Sequence, residues 1–314
     1  MDIFSIILVV VGLCVFEVVS SFDNAVVNAD VLATMSPKWR KWFLIWGIFL
    51  GVFLVRGLLP WLIVWMANPT LGFWNSLTFT FSNDPQVAES LEVSKPILLI
   101  GGGMFLVFLF FHWLFLEEKN FGLSVEHFFN KQGVWFFAIS SLILSVTIWY
   151  ALKINPMMAF AASIGSSAFF IVHGFKEYAA RAELEMKNNR NLSDISKLVY
   201  LEILDATFSI DGVIGAFAFT MSVPLILLGN GLGAIVVREL TIKGVDKIRG
   251  YPYLKNGAMY SIFFLGAIML AESFGVHIPH YVAPIITLTV IGLFLWKSIR
   301  CNRSNLNNSQ PQHP

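Results

Sequence analysis

Nine apolar stretches, each near the length that crosses a lipid bilayer, begin close to residues 3, 42, 96, 133, 156, 198, 223, 257 and 279. Roughly 20 such residues wound as a helix traverse the hydrocarbon core, where each segment must satisfy its own backbone polar groups. The expected fold is therefore an all-α polytopic membrane protein of about nine transmembrane helices. Composition agrees, since 56% of the residues are apolar and only 13% are charged, outside the usual range for soluble domains. Met1-Asp2 lacks the basic start of a secretory leader, and the first run holds Glu17 and Asp23 where a leader has its cleavage site, so this run reads as mature sequence. Cys14 and Cys301 are too few for a disulfide framework or a thiolate metal cluster.

Basic residues set the expected topology. Of the 21 Lys and Arg, 17 follow the first, third, fifth, seventh and ninth stretches; Lys95 and Lys153 lie in the opposite loops, and Arg56 and Arg238 lie inside spans. The positive-inside rule then puts the N-terminus outside and the C-terminus in the cytoplasm. Residues 1–175 are read as a first membrane half of five spans and 198–300 as a second half of four. Residues 176–197, with Arg181, Glu183, Glu185, Lys187 and Arg190, read as a solvated cytoplasmic connection, and 301–314 as a disordered tail. An acidic loop, Ala67 to Ser94, holds Asp84, Glu89 and Glu92.

Two of the spans carry matched acids. Glu17-Val-Val-Ser-Ser-Phe-Asp23-Asn24 in the first and Asp205-Ala-Thr-Phe-Ser-Ile-Asp211-Gly212 in the sixth both read acid, five residues, Asp. Adding 188 carries Glu17 to Asp205, Ser21 to Ser209, Asp23 to Asp211 and Asn24 to Gly212. A second echo joins Gly47, Gly51 and Arg56 in the second span to Gly229, Gly233 and Arg238 in the seventh, both G-x-x-x-G-x-x-x-x-R. Glycines four apart permit close helix approach. Corresponding spans are an odd number apart, so they cross the membrane in opposite senses and the repeat is inverted. Inverted repeats commonly hold an ion or substrate near the midplane.

Ionisable side chains in hydrocarbon are costly, so four at matched mid-span positions point to an ion site. Glu17, Asp23, Asn24, Asp205 and Asp211 are the candidate metal ligands, with Ser21, Thr207 and Ser209 as further oxygen donors and Arg56 and Arg238 as counter-charges. A set of oxygens without a Cys or His cluster suits hard divalent cations, Mn²⁺, Ca²⁺ or Mg²⁺, better than zinc or copper. Four carboxylates exceed one divalent charge by two, so protons, sodium or the arginines must balance them, and cation/proton exchange is the hypothesis. Acids six residues apart on an unbroken helix face directions roughly 120° apart. Unwinding at Ser20 and Ser21, and at Gly212 and Gly215, is therefore expected. No resident cofactor is implied; the cation is the substrate.

The motif Glu17-x-x-x-Ser21-x-Asp23-Asn24 resembles the first signature, E-x-x-L-S-x-D-N, of the TerC family of integral membrane proteins, and Asp205-x-x-Phe208-x-x-Asp211 resembles its second, D-x-x-F-A-x-D-S-[IV]-P-A. Ser20, Ser209, Gly212 and Ile214 depart from those patterns, as in a divergent branch. The resemblance implies manganese export across the bacterial inner membrane, or a tellurium-resistance association. It also implies that Glu17, Asp23, Asn24, Asp205 and Asp211 are metal-site positions.

Other readings compete. Asp23 with Asp211 could form the acid/base dyad of an intramembrane hydrolase, but the surrounding oxygens fit a coordination cage better, so no enzyme is expected. A membrane scaffold or stress-response protein without transport is the other alternative. Glu202, one helical turn before Asp205, reads equally as a relay acid or a packing residue. Asp30 and Asn28 read as the inner mouth or a helix end, Glu272 as interfacial, and Glu177 as solvated. His112 and His173 stand apart in the sequence near span ends and read as core or interfacial residues. The expected surroundings are the metal ion and the lipid bilayer, with no nucleic acid, because the basic residues are topogenic and interspersed with acids.

Overall fold

The computed structural model describes residues 2–47, 49–67, 85–119, 121–188, 193–243 and 250–308. The described residues are helical and carry no strand. The chain opens with α1 (Ile3–Ser20) and α2 (Phe22–Ala33), joined at Ser21, and a short α3 (Pro37–Trp42). Two π-wound pieces, Phe43–Gly47 and Leu50–Leu58, then lead into α4 (Leu59–Ala67). After these come α5 (Pro85–Leu116), α6 (Ser124–Asn130), α7 (Trp135–Ile154) and α8 (Pro156–Asn188). The second half comprises α9 (Asp194–Ala216), α10 (Val223–Lys243), α11 (Leu254–Ser273) and α12 (Val282–Asn308).

Seven of the nine expected spans are helices long and apolar enough to cross a membrane: α1, α7, α10, α11 and the apolar parts of α5, α8 and α12. The other two are helical but carry charged residues within their apolar runs. The second is divided between π and α winding and carries Arg56, and the sixth, α9, carries Glu202, Asp205 and Asp211. This is a polytopic α-helical membrane protein. Most of the acidic loop, residues 68–84, lies outside the described residues, as do the side chains of Glu89 and Glu92. In the central connection, α8 continues to Asn188, and residues 189–192 lie outside the described set. The tail is helical through Asn308 where disorder is expected, because no Gly or Pro stands between Cys301 and Pro311.

Lipid offers little hydrophobic drive for helix association, so the bundle depends on close packing. α5 lies at its centre, against both α8 and α11, while α1 packs on α10 and α12. α5 and α8 approach through glycines: a Cβ on Gly165 would stand 2.0 Å from the Gly101 carbonyl oxygen. Above that crossing the rings of Phe108 and Phe169 meet edge to face at 5.9 Å. α7 sits at the periphery with Phe137, Leu142 and Trp149 exposed, as a lipid-facing helix requires. Near its end, Lys153 Nζ lies 3.2 Å from the Trp149 ring centroid, an aromatic anchor of the interfacial kind.

Candidate functional site: a buried carboxylate and guanidinium cluster

The break between α1 and α2 falls at Ser21, within the expected Ser20-Ser21 pair. The Ser21 amide still donates to the Glu17 carbonyl at 3.0 Å, and its hydroxyl donates to Glu17 Oε1 at 2.8 Å. Glu17 is wholly buried. Arg56, itself buried, donates to the same carboxylate oxygen from Nε at 3.0 Å and from Nη2. Its Nη1 donates to the Gly51 carbonyl at 3.0 Å and stands 3.8 Å from Asp205 Oδ2. π winding makes this possible, since bonds that close over five residues bring Gly51 and Arg56 above one another. One guanidinium thus spans the acids of both halves.

Arg238 approaches from α10. Its Nη1 donates to the Phe43 carbonyl at 2.7 Å, and the guanidinium lies over the Phe43 ring, 3.9 Å from the centroid. Its Nη2 stands 3.7 Å from Asp205 Oδ2 and 3.9 Å from Glu202 Oε1, within ion-pair range but beyond a hydrogen bond. Asn24 donates from Nδ2 to Asp205 Oδ1 at 2.7 Å. A cavity of about 10 Å³ beside Asp205, lined by Asn28, Gly51, Arg56, Arg238 and Thr241 among others, has room for one water-sized group.

Matched positions trade partners between the halves. A Cβ on Gly51 would stand 2.7 Å from Asp205 Oδ2, and one on its counterpart Gly233 would stand 2.6 Å from Glu17 Cβ. Asn24 reaches Asp205; its counterpart Gly212 lies against Glu17, where a Cβ would be 2.6 Å from Oε2. With no side chain at 212 to donate, Glu17 Oε2 accepts no hydrogen bond among the described residues. Asn24 Oδ1, Asn28 Oδ1 and Glu202 Oε1 are buried in the same condition. Unsatisfied buried oxygens are uncommon and mark places for water, ions or strain.

Asp211 is elsewhere. α9 runs unbroken through Gly212 and Gly215, contrary to the expected unwinding, because both glycines serve close approach: Gly212 to Glu17 and Gly215 to the Phe16 ring. Asp205 and Asp211 therefore face different spaces. Asp211 pairs with Lys176 of α8 and lines a cavity of about 630 Å³ shared with Ser20, His112, His173, Glu177 and Lys255. Asp23 lies on α2, with its side chain outside the described residues. Thr207 donates to the Ile203 carbonyl at 2.8 Å, and Ser209 to the Asp205 carbonyl at 2.7 Å. Among the described residues, no three Asp, Glu, His or Cys side chains gather closely enough to hold a metal ion.

Two features escape sequence reasoning. Lys176 reads as a topogenic lysine yet pairs with Asp211. His112 and His173, read as unrelated, have ring centroids 3.8 Å apart. The one hint is that His173, Lys176 and Glu177 share a helix face at spacings of three and four. Glu272, read as interfacial, lies 3.4 Å from Lys95. Glu177, read as solvated, is 58% exposed and stands 3.3 Å from His173 Nε2.

Comparison with known proteins bears on this geometry. A 98-residue stretch, 31% of this chain and 38% of the relative, is 29% identical to the "Uncharacterized membrane protein YceF" of Bacillus subtilis. A 96-residue stretch, 30% of the chain and 40% of the relative, is 29% identical to a "UPF0053 protein" of Haemophilus influenzae. The matches thus span about two fifths of the curated relatives' own length. No solved structure matches. These similarities support a membrane protein family without singling out TerC. Residues 22–305, nearly the whole membrane region, match the family described as "Protein of unknown function (DUF475)", and the chain belongs to that family.

Proposed function

We propose that this protein carries a divalent cation across the membrane, with Mn²⁺ the first substrate to test, and that Arg56 and Arg238 occupy the cation's place in the conformation described. The observation that carries the reading is the group of buried acceptor oxygens on Glu17, Asn24, Asn28 and Glu202 that no donor among the described residues satisfies. They surround two carboxylates already neutralised by two guanidiniums. Arg56 and Arg238 bring two positive charges to Glu17 and Asp205, with Glu202 a third acid 3.9 Å from Arg238, so a divalent ion can replace the two arginines without changing the net charge of the buried cluster. A monovalent ion cannot do so alone. Oxygen ligands favour Mn²⁺, Ca²⁺ or Mg²⁺ over softer metals, and the motif resemblance to TerC favours Mn²⁺ among these.

In this reading Glu17, Asp205 and Asn24 form the centre of the site, and Asp211 with Lys176 faces the approach cavity. The ion is exchanged for protons and no covalent bond is made or broken, so the protein is not an enzyme. The chain sits in the bacterial inner membrane, N-terminus outside and C-terminus in the cytoplasm, as its basic loops suggest.

Uptake into vesicles containing the purified protein tests this across Mn²⁺, Ca²⁺, Mg²⁺ and Zn²⁺. Flux of at least one hard divalent ion is expected, with loss in Glu17→Gln and Asp205→Asn. Unaltered flux in both folded variants would overturn the site, and absence of flux for every ion would overturn transport. One observation favours a second reading, a scaffold or stress-response protein without transport: Glu17, Asp205 and Asp211 are each already paired with Arg or Lys, as in a static core. That reading expects cellular Mn and Ca to stay constant when the acids are neutralised.

A further inference from the structure

The buried acids leave unused a second group of titratable side chains. His112 on α5 and His173 on α8 come from helices packed along one another, and their ring centroids lie 3.8 Å apart. Phe136 meets the His112 ring edge-on at 5.5 Å, and Phe169 stacks on His173 at 5.8 Å with 9° between planes. The pair is walled by aromatics on one flank. On the other, both rings line the 630 Å³ cavity. Charged groups face them from every side of that space: Glu117, Glu118 and Lys119 at the end of α5, Lys176 and Glu177 on α8, Asp211 on α9 and Lys255 on α11. The neighbouring α7 presents Phe136. Glu177 Oε1 stands 3.3 Å from His173 Nε2.

We infer that His112 and His173 together form a binding site for a single proton, loaded from the cavity and held against Glu177. The first proton gains a carboxylate neighbour on His173. A second would have to enter a ring tilted 53° against an imidazolium and only 3.8 Å from it between centroids, beside aromatic walls and with Lys119 and Lys176 nearby. Like charges this close separate their titrations, so the pair behaves as one acceptor and its proton belongs to both rings. Only the use of the site rests on the transport reading, in which this proton is the one exchanged for the cation.

Side-chain ¹⁵N NMR of the full chain in lipid nanodiscs reads the site directly. His127, His277 and His280 are exposed and serve as internal references, with His112→Gln and His173→Gln assigning the pair. The two rings of the pair should report one shared titration that takes up a single proton between them. In either single variant, the remaining ring should lose the shared titration and follow a curve of its own. Two independent titrations of the assigned pair in the wild type, each taking up its own proton over the same range, would overturn the proposal. Vesicle flux separates the two readings. A one-proton pair in a protein that moves no cation leaves this site standing and removes transport. Cation flux with unchanged pH dependence in the folded double Gln variant overturns the pair's role in exchange.

Discussion

Gly233→Ala tests the close approach on which the buried cluster depends. The added Cβ would stand 2.6 Å from Glu17 Cβ, 2.8 Å from Glu17 Cγ and 2.9 Å from the Cys14 carbonyl oxygen. Carbon contacts settle at about 3.5–4.0 Å, so α1 must retreat by roughly 1 Å, and two of the three obstructing atoms are fixed to its backbone or next to it. Overpacking of this kind costs about 1–3 kcal/mol. The retreat also draws Glu17 away from Arg56, whose Nε bond at 3.0 Å would lengthen past hydrogen-bond range, and a charge-assisted bond contributes about 1.5–3 kcal/mol. Against this stands a helix-propensity gain of about 1 kcal/mol for Ala over Gly. The net expectation is destabilisation of about 2–4 kcal/mol. Gly174→Ala on α8 is the control, because nothing lies within 4 Å of its added Cβ, and it should stabilise by about 0.5–1 kcal/mol. Both are measured by reversible unfolding in mixed micelles with increasing SDS, followed by far-UV circular dichroism. Equal stability of the two variants would refute the helix approach and the geometry of Glu17 with it.

Arg56→Gln leaves the buried Glu17 carboxylate with the Ser21 hydroxyl as its described partner, and should cost about 3–5 kcal/mol; adding Glu17→Gln should recover much of it, which a double-mutant cycle in the same unfolding assay reads. Asp211→Asn removes the carboxylate that pairs with Lys176 in the large cavity, and on the proposed reading vesicle flux through this variant should fall while Glu17 and Asp205 keep their arginines. Beyond the end of α5, burial pushes the Lys119 ammonium from 10.5 down to about 8, partly offset by Glu117 and Glu126. The unfolded chain then binds more protons between pH 8 and 10.5, so stability should rise with pH across that window and the slope should flatten in Lys119→Met.

Much of this architecture was legible in the residues because hydrocarbon penalises charge so strongly. Glu17, Asp205, Arg56 and Arg238 announced themselves by standing in apolar runs, and the structure brings those four together. The glycines were legible as sites of close approach but not by partner: Gly51 and Gly233 each meet the opposite half's acid. Gly212 and Gly215 misled, since a glycine in a helix signals equally a break and a contact, and here each faces a bulky side chain. The histidine pair and the Lys176 contact were not legible, because each joins separate helices through tertiary packing that no spacing along one helix encodes. Asp211 was visible as an acid, but its cavity was not.

The bonds that close over five residues in Phe43–Gly47 and Leu50–Leu58 also make the length of these pieces a structural quantity in its own right. Trimming a single residue there would tighten the coil and swing Arg56 around the axis, away from both acids, though every side chain of the cluster remained in the sequence. An added residue would rotate it the other way. Insertions and deletions in this segment should therefore be tolerated far less well than exchanges at its exposed apolar positions, such as Ile45 and Trp46.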